Sequence, residues 1–331
     1  MKPTPARQRL KLIATSTSNR LARFARDVRQ GLTENPKRLS CCYFYDEEGS
    51  LLFEEICKLP EYYLTRAERE ILETWAAELT ASFSAPPLLV ELGSGSAAKT
   101  RLLIDALLKR HPTIRYVPID ICRTILEESS LQLLQEYPSL EILAIAAEYK
   151  EGLEHLRTLA ASQKLIVWLG SNVGNLHRAE AAGFLKEVRG TMVAGDLLLV
   201  GIDLRKDRVM LERAYDDPRG VTADFNLNLL VRINRELDGH FDLEAFQHQA
   251  RYNEDPGRIE MYLISKKDQR VRVDSLDLEI SLAAGEAIHT ENSYKYSLEE
   301  IHSLAAGAGL RIDSQWLDAE GRFSVNLLAP V

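Results

Sequence analysis

The sequence predicts an α/β protein: an open, mostly parallel sheet with helices on both faces, completed by an antiparallel last strand, plus a second, smaller α+β domain. Three observations predict it. From residue 88, five strongly apolar runs alternate with helix-length polar-periodic segments; the last two strand candidates lie too close together for a helical crossover; and the text from about 205 to 295 breaks the alternation. Strands buried on both faces read as continuous apolar runs, and parallel neighbours need long crossovers, whereas a short turn joins only antiparallel ones.

The chain opens on 26 residues that are Arg-rich and free of acids. This resembles an organelle transit peptide in composition, but a frayed basic arm leading into a helix at LARFARDVRQGL is the preferred reading. The apolar runs are LLVELGS from residue 88, RYVPIDI, EILAIAAEY, KLIVWLGSNV and DLLLVGIDL. They are too apolar for half-exposed strands, and in such sheets ligands bind at the carboxyl ends. Helical text follows in RVMLERAYDD, FNLNLLVRINREL and DLEAFQHQA, and then strand-like text in RIEMYLISKKDQRVRV. The α/β pattern returns with the helix SLEEIHSLAAGAG and the hairpin GLRIDSQWL/RFSVNLLAP. The region from about 205 to 295 therefore reads as a second domain inserted into the first. The stretch TENSYKYS (290–297) marks the exit from the second. By composition alone it reads as a solvated turn.

At 331 residues, two domains or one elaborated α/β domain are expected. The formal charge, 41 − 49 = −8, disfavours nonspecific binding to nucleic acid or anionic membranes. A small molecule is the better partner. Cys41, Cys42, Cys57 and Cys122 lack zinc-finger spacing and the seven histidines form no H-x-x-x-H pattern, so no metal is expected. Reduced thiols and the lack of a membrane-length apolar run suit a cytoplasmic protein, taken as a monomer.

The stretch VELGSGSAAKT (90–100) puts Gly93 and Gly95 between the first strand and a helix, where the backbone must turn tightly beside a ligand. Read as G-x-G-x-x-A it also fits a dinucleotide fingerprint. Two acids separate the possibilities. Glu91, just before the glycines, would repel a pyrophosphate and suits a cationic or zwitterionic ligand. Asp120, at the end of the second run, can accept from both hydroxyls of a ribose. Together they favour S-adenosylmethionine (SAM) over NAD. Glu148 and Tyr149, ending the third run, can meet an adenine, although Glu148 also reads as an exposed strand end.

Several further stretches carry a resemblance: YFYDEEGSLLFEEICKLPEYYLTRAE (43–68), ELGSGSAAKTRLL, YVPIDI, LGSNVGNL, AYDDPRGVTADFNLNLLVRINREL, RIEMYL and TENSYKYS. In this order, from about residue 27 to the end, the chain resembles the histidine-specific SAM-dependent methyltransferases. The resemblance implies a Rossmann-like class I SAM methyltransferase sheet, 68–204 with 296–331, joined to a substrate-binding domain built from 1–67 with 205–295. It implies that Gly93, Lys99, Asp120, Glu148 and Tyr149 contact SAM, although family members commonly carry Asp-Phe in place of Glu148-Tyr149. For the substrate, L-histidine, it points to Tyr45, Tyr62, Asn175, Tyr215, Met261, Glu291 and Ser293. Asn175 and Tyr215 would hold the α-carboxylate, with Asn175 and Tyr45 positioning the amine. Glu291 and Ser293 would read the imidazole, with Tyr62 assisting and Met261 against the ring. The implied activity is threefold α-amine methylation to Nα,Nα,Nα-trimethyl-L-histidine (hercynine), the first step of ergothioneine biosynthesis.

Each residue also has a plainer reading. Tyr62 packs under a loop, Asn175 caps the following helix, and Met261 is core. Alternative functions are methylation of another amino acid such as tryptophan, a non-catalytic SAM or amino-acid-binding module, and a dinucleotide oxidoreductase.

Overall fold

In the computed structural model, which describes residues 5–14, 17–159 and 163–331, the chain divides into two units. The first takes Met1–Ala14, Leu64–Arg205 and Lys295–Val331, and the second takes Thr15–Tyr63 and Lys206–Tyr294. No helix among the described residues is long and apolar enough to cross a membrane.

The first unit is built on eight strands: β1 (Leu10–Ala14), β2 (Leu88–Leu92), β3 (Ile114–Asp120), β4 (Leu140–Ala146), β5 (Lys164–Trp168), β6 (Leu197–Asp203), β7 (Leu310–Leu317) and β8 (Phe323–Pro330). Their order in the sheet is β1-β4-β3-β2-β5-β6-β8-β7. All pairs from β1 to β6 are parallel, while β8 runs antiparallel to both β6 and β7. Every residue of β2, β5 and β6 is buried, as the continuous apolar runs require. The order reverses between β2 and β5, so the carboxyl ends of these strands open a crevice where ligands of such sheets bind.

The amino-terminal arm departs from expectation. Leu10–Ala14 is a strand that extends the sheet edge in parallel with Leu140–Ala146, in register Leu10↔Ile142. Arg9 anchors it by donating to the carbonyls of Tyr137 at 2.9 Å and Leu140 at 2.6 Å. An edge strand of five residues obtains its partner from tertiary structure, and LKLIA has no strict alternation to announce it. Residues 1–4 and 15–16 of the arm lie outside the described residues.

The second unit holds a four-stranded sheet in the order Lys37–Arg38, Ala287–Tyr294, Arg258–Ser265, Phe246–Asn253, and a separate hairpin of Gln269–Val273 with Leu278–Leu282. The stretch DLEAFQHQA, expected to be helical, is a 3₁₀ turn at Leu243–Ala245 followed by the strand Phe246–Asn253. The reason is a period of two: Phe246, His248, Ala250 and Tyr252 are buried while Gln247, Gln249 and Arg251 are exposed. The stretch that composition marks as a turn, TENSYKYS, mostly belongs to the strand Ala287–Tyr294.

Candidate active site

In the first unit the polar residues gather at the carboxyl ends of the strands. Gly93 has φ +74° and Gly95 φ +48°, both left-handed conformations that favour glycine. The Gly93 N–H donates to the Ile119 carbonyl at 2.8 Å, which ties the loop to β3. A Cβ on Gly93 would lie 2.6 Å from the Tyr149 hydroxyl, whereas nothing lies within 4 Å of one on Gly95. That open side is where a ligand can approach the backbone.

Asp120, buried at the end of β3, accepts from the Gly95 N–H at 2.8 Å and the Cys122 N–H at 2.9 Å. Burial raises its pKa against these backbone donors. A carboxylate offers about four acceptor positions, so a vicinal diol can still be bound by the same group. Tyr149 packs its ring against Phe184 at 5.4 Å and Trp168 at 6.0 Å, which fixes it as one wall. Glu148 is the half-buried residue preceding its helix. Lys99 is ion-paired with Glu68, which is fully buried. These residues suit a ligand with a ribose and a flat ring.

Glu91 lies in β2, two residues before Gly93. It is buried, accepts from Thr100 Oγ1 at 2.5 Å and from the Tyr116 hydroxyl, and is pushed up to about 7 by burial against those bonds. Asn175 ends a 3₁₀ turn, Asn172–Asn175, that follows β5. It is not a helix cap: the helix Arg178–Arg189 is capped by His177 and Glu180. The side chain of Asn175 is half-buried.

In the second unit the substrate candidates form one aromatic and polar cluster. Tyr45 meets Phe53 at 5.6 Å and Phe225 at 5.7 Å; Phe53 meets Tyr62 at 6.1 Å; and Tyr62 meets Tyr215 edge-on at 6.0 Å. The Tyr215 hydroxyl shares a 2.8 Å hydrogen bond with Ser293 Oγ. Glu291 lies opposite Met261 in the strand pair, just after a register shift that follows His289. Two residues on, Ser293 has the same strand parity, whereas Asn292 Oδ1 accepts from His289 Nε2, 3.1 Å away. Burial drives the Tyr62 pKa well above its usual value, with Tyr215, Cys57, Tyr45 and Glu291 adding to the effect. Tyr62 is therefore a neutral phenol at physiological pH.

Local structure explains these positions. Asp46 caps the helix Glu47–Lys58 by accepting from the Gly49 N–H at 2.8 Å and also accepts from Asn228 at 2.8 Å, which fixes the backbone beside Tyr45. Tyr215 ends the helix Arg208–Tyr215, and its carbonyl accepts from His248 Nε2 at 2.8 Å. With Nε2 donating, His248 Nδ1 accepts from Asn226 Nδ2 at 2.8 Å, so the ring is neutral, and burial lowers its pKa. Phe53, Phe225, His248 and Glu68 were not singled out by sequence reasoning. Glu68 does lie in the stretch EYYLTRAE, but no spacing rule marks a single helical Glu.

A protein family described as histidine-specific methyltransferase, SAM-dependent, matches residues 24–330. The chain belongs to this family. It is an enzyme of the SAM-dependent methyltransferase class, and its strand order with an antiparallel β8 is the class I sheet that the sequence resemblance implies. The chain is 46% identical over 302 residues to the histidine N-alpha-methyltransferase of Mycolicibacterium smegmatis, covering 91% of this chain and 93% of that protein. The protein of the same name from Mycobacterium tuberculosis is 46% identical over 304 residues, covering 92% and 94%. A third relative, ergothioneine biosynthesis protein 1 of Neurospora crassa, is 31% identical over 312 residues, 90% of this chain and 35% of that protein. Among the described residues, no group of three or more His, Cys, Asp or Glu could hold a metal ion.

Proposed function

We propose that this methyltransferase converts L-histidine into Nα,Nα,Nα-trimethyl-L-histidine, the entry reaction of ergothioneine biosynthesis. The observation that carries the substrate is the Tyr215–Ser293 hydrogen bond in a cluster that also contains Glu291 and Met261. A carboxylate and a hydroxyl of the same strand parity, amid aromatic rings, suit an imidazole with one N–H and one lone pair. Leu or Phe would leave the carboxylate unpaired, and sites of that kind discriminate strongly. The names of the mycobacterial relatives support the same reading.

In this reading the first unit holds SAM and the second reads histidine. Gly93 and Gly95 supply the close backbone approach, Asp120 takes the ribose hydroxyls, Tyr149 and Glu148 flank the adenine, and Lys99 completes the set. SAM supplies an electrophilic methyl carbon on a sulfonium. Displacement there needs a neutral amine aligned opposite the C–S bond, so positioning is the main task of the chain, and in favourable cases it contributes about 7–11 kcal/mol. Asn175 and Tyr215 hold the α-carboxylate, and Tyr45 with Asn175 orients the amine. A free α-amine has a pKa of about 8, so a neutral fraction exists near pH 7 without a strong base. Tyr62, a neutral phenol, serves as a hydrogen-bonding wall rather than a proton acceptor. Tyrosine rings near the product ammonium stabilise it by roughly 0.5–2 kcal/mol each.

The test is mass spectrometry of the twenty amino acids incubated together with SAM and enzyme. Histidine gaining three methyl increments, with the others unchanged, is the expected result. Increments on tryptophan instead would replace the substrate, and increments on none would remove the reading. The reading includes a cytoplasmic monomer, in keeping with a net charge of −8; a sedimentation mass near 37.4 kDa at assay concentration checks the monomer.

A further inference from the structure

The helix Tyr63–Leu79 carries one fully buried carboxylate, Glu68, 0% exposed. Both of its oxygens accept from the Gly170 N–H, at 2.9 and 3.0 Å, and one also takes the Lys99 ammonium. Gly170 lies just beyond the carboxyl end of β5, in the left-handed conformation at φ +77°. Lys99 directly precedes the helix Thr100–Leu108 that follows the glycine loop. A single buried carboxylate therefore clamps the two loops on either side of the strand-order reversal.

A third residue has been shaped around this carboxylate. Gly201 lies in the interior of β6, paired with Val325, and is not among the positive-φ glycines. Backbone conformation does not require glycine there. Space does: a Cβ on Gly201 would lie 1.8 Å from Glu68 Oε1 and 3.1 Å from the Phe323 ring. Glycine in a strand interior weakens the strand and often marks a place where another group approaches closely; here the approaching group is the Glu68 carboxylate.

We propose that Glu68 is a positioning residue for the cofactor site, holding Lys99 and the Gly170 turn in place from behind, and that Gly201 is glycine to admit it. This rests on the reading that Lys99 contacts SAM. A buried carboxylate paired with an ammonium and a backbone N–H is fixed to a small volume, because moving it would strand a charge without partners. Lys99 is thereby held to one rotamer instead of sampling solvent.

The test uses the full chain and S-adenosylhomocysteine as the calorimetric probe, with histidine KM at saturating SAM as the second readout. Glu68→Gln keeps the shape and loses the charge that holds Lys99; Gly201→Ala keeps the charge and displaces it. Each is expected to weaken S-adenosylhomocysteine binding at least tenfold while changing histidine KM less than twofold, in protein whose far-UV spectrum matches the parent. In Gly201→Ala/Glu68→Asp the shorter acid makes room for the methyl, and at least threefold of the affinity lost in Gly201→Ala should return. Parent-like cofactor affinity in folded Glu68→Gln and Gly201→Ala would overturn the proposal, as would a double variant no better than Gly201→Ala. Should Glu68→Gln fail to fold, the Gly201→Ala pair carries the decision. A parent enzyme that binds no S-adenosylhomocysteine would instead sink the SAM assignment itself.

Discussion

Glu91 and Glu291 show two different uses of one residue type. Glu91 is buried on β2 between Thr100 and Tyr116 and titrates near 7, above the ordinary 4.5, because burial penalises its charge. Its stabilising contribution is therefore full below about pH 4.5 and is lost as pH rises through about 7. In Glu91→Gln that dependence should disappear, so the variant gains stability relative to the parent between pH 5 and pH 8, read from urea midpoints at both. A gain that stays constant with pH would show that Glu91 keeps an ordinary titration. Glu291 is half-buried and lies in the cluster proposed to read histidine. Glu291→Ala should raise histidine KM by two orders of magnitude or more, the scale on which lost polar readout discriminates, and leave S-adenosylhomocysteine binding within twofold. Both residues are visible in the sequence. Their difference is not, since it depends on which neighbours reach each carboxylate.

At the scale of elements, the alternation of apolar runs with helix-length segments foretold most of the first unit. Ser297 caps the helix Leu298–Gly307 with Glu300 completing the capping box, and Ser297→Ala should lower stability by about 1 kcal/mol, measured by urea unfolding. The ion pair of Lys295 with Asp203 is different: both side chains are fully buried, 2.8 Å apart, where the chain re-enters the first unit beside the end of β6. Removing one partner leaves an uncompensated charge and should cost about 3–5 kcal/mol in Lys295→Met, whereas Lys295→Met/Asp203→Leu should recover most of it. A double variant as unstable as the single one would mean that packing, not charge, decides this position. The element misread from sequence, DLEAFQHQA, contains both signals: Leu and Ala favour helix, yet the alternation of Phe246, His248, Ala250 and Tyr252 prevails once strand Arg258–Ser265 is there to pair with it. In the same way TENSYKYS has the composition of a turn but pairs along Arg258–Ser265.

For the whole molecule, the amino-terminal strand tests how far the sheet depends on its edge. Deleting residues 1–14 removes β1 and the Arg9 bonds to Tyr137 and Leu140, and exposes β4 as an edge. Unpaired edges invite association, so the truncated protein should keep its far-UV spectrum but self-associate on sedimentation and melt a few degrees lower; a monodisperse, equally stable truncation would show that β4 needs no cover. By itself the sequence determined the parallel order of the apolar runs, the antiparallel hairpin at the end, the glycine loop before its helix and the family, because burial on both strand faces, short connections and a tight turn each leave a local pattern in the chain. Only tertiary structure decided that Glu68 stands behind Lys99, that Gly201 is glycine for the sake of a carboxylate 133 positions earlier in the chain, that His248 holds the Tyr215 carbonyl, and that Leu10–Ala14 joins the sheet. These are pairings between residues distant in sequence, where each partner is chosen by the space and the hydrogen-bonding groups the fold brings to it, and no periodicity or local propensity records that choice.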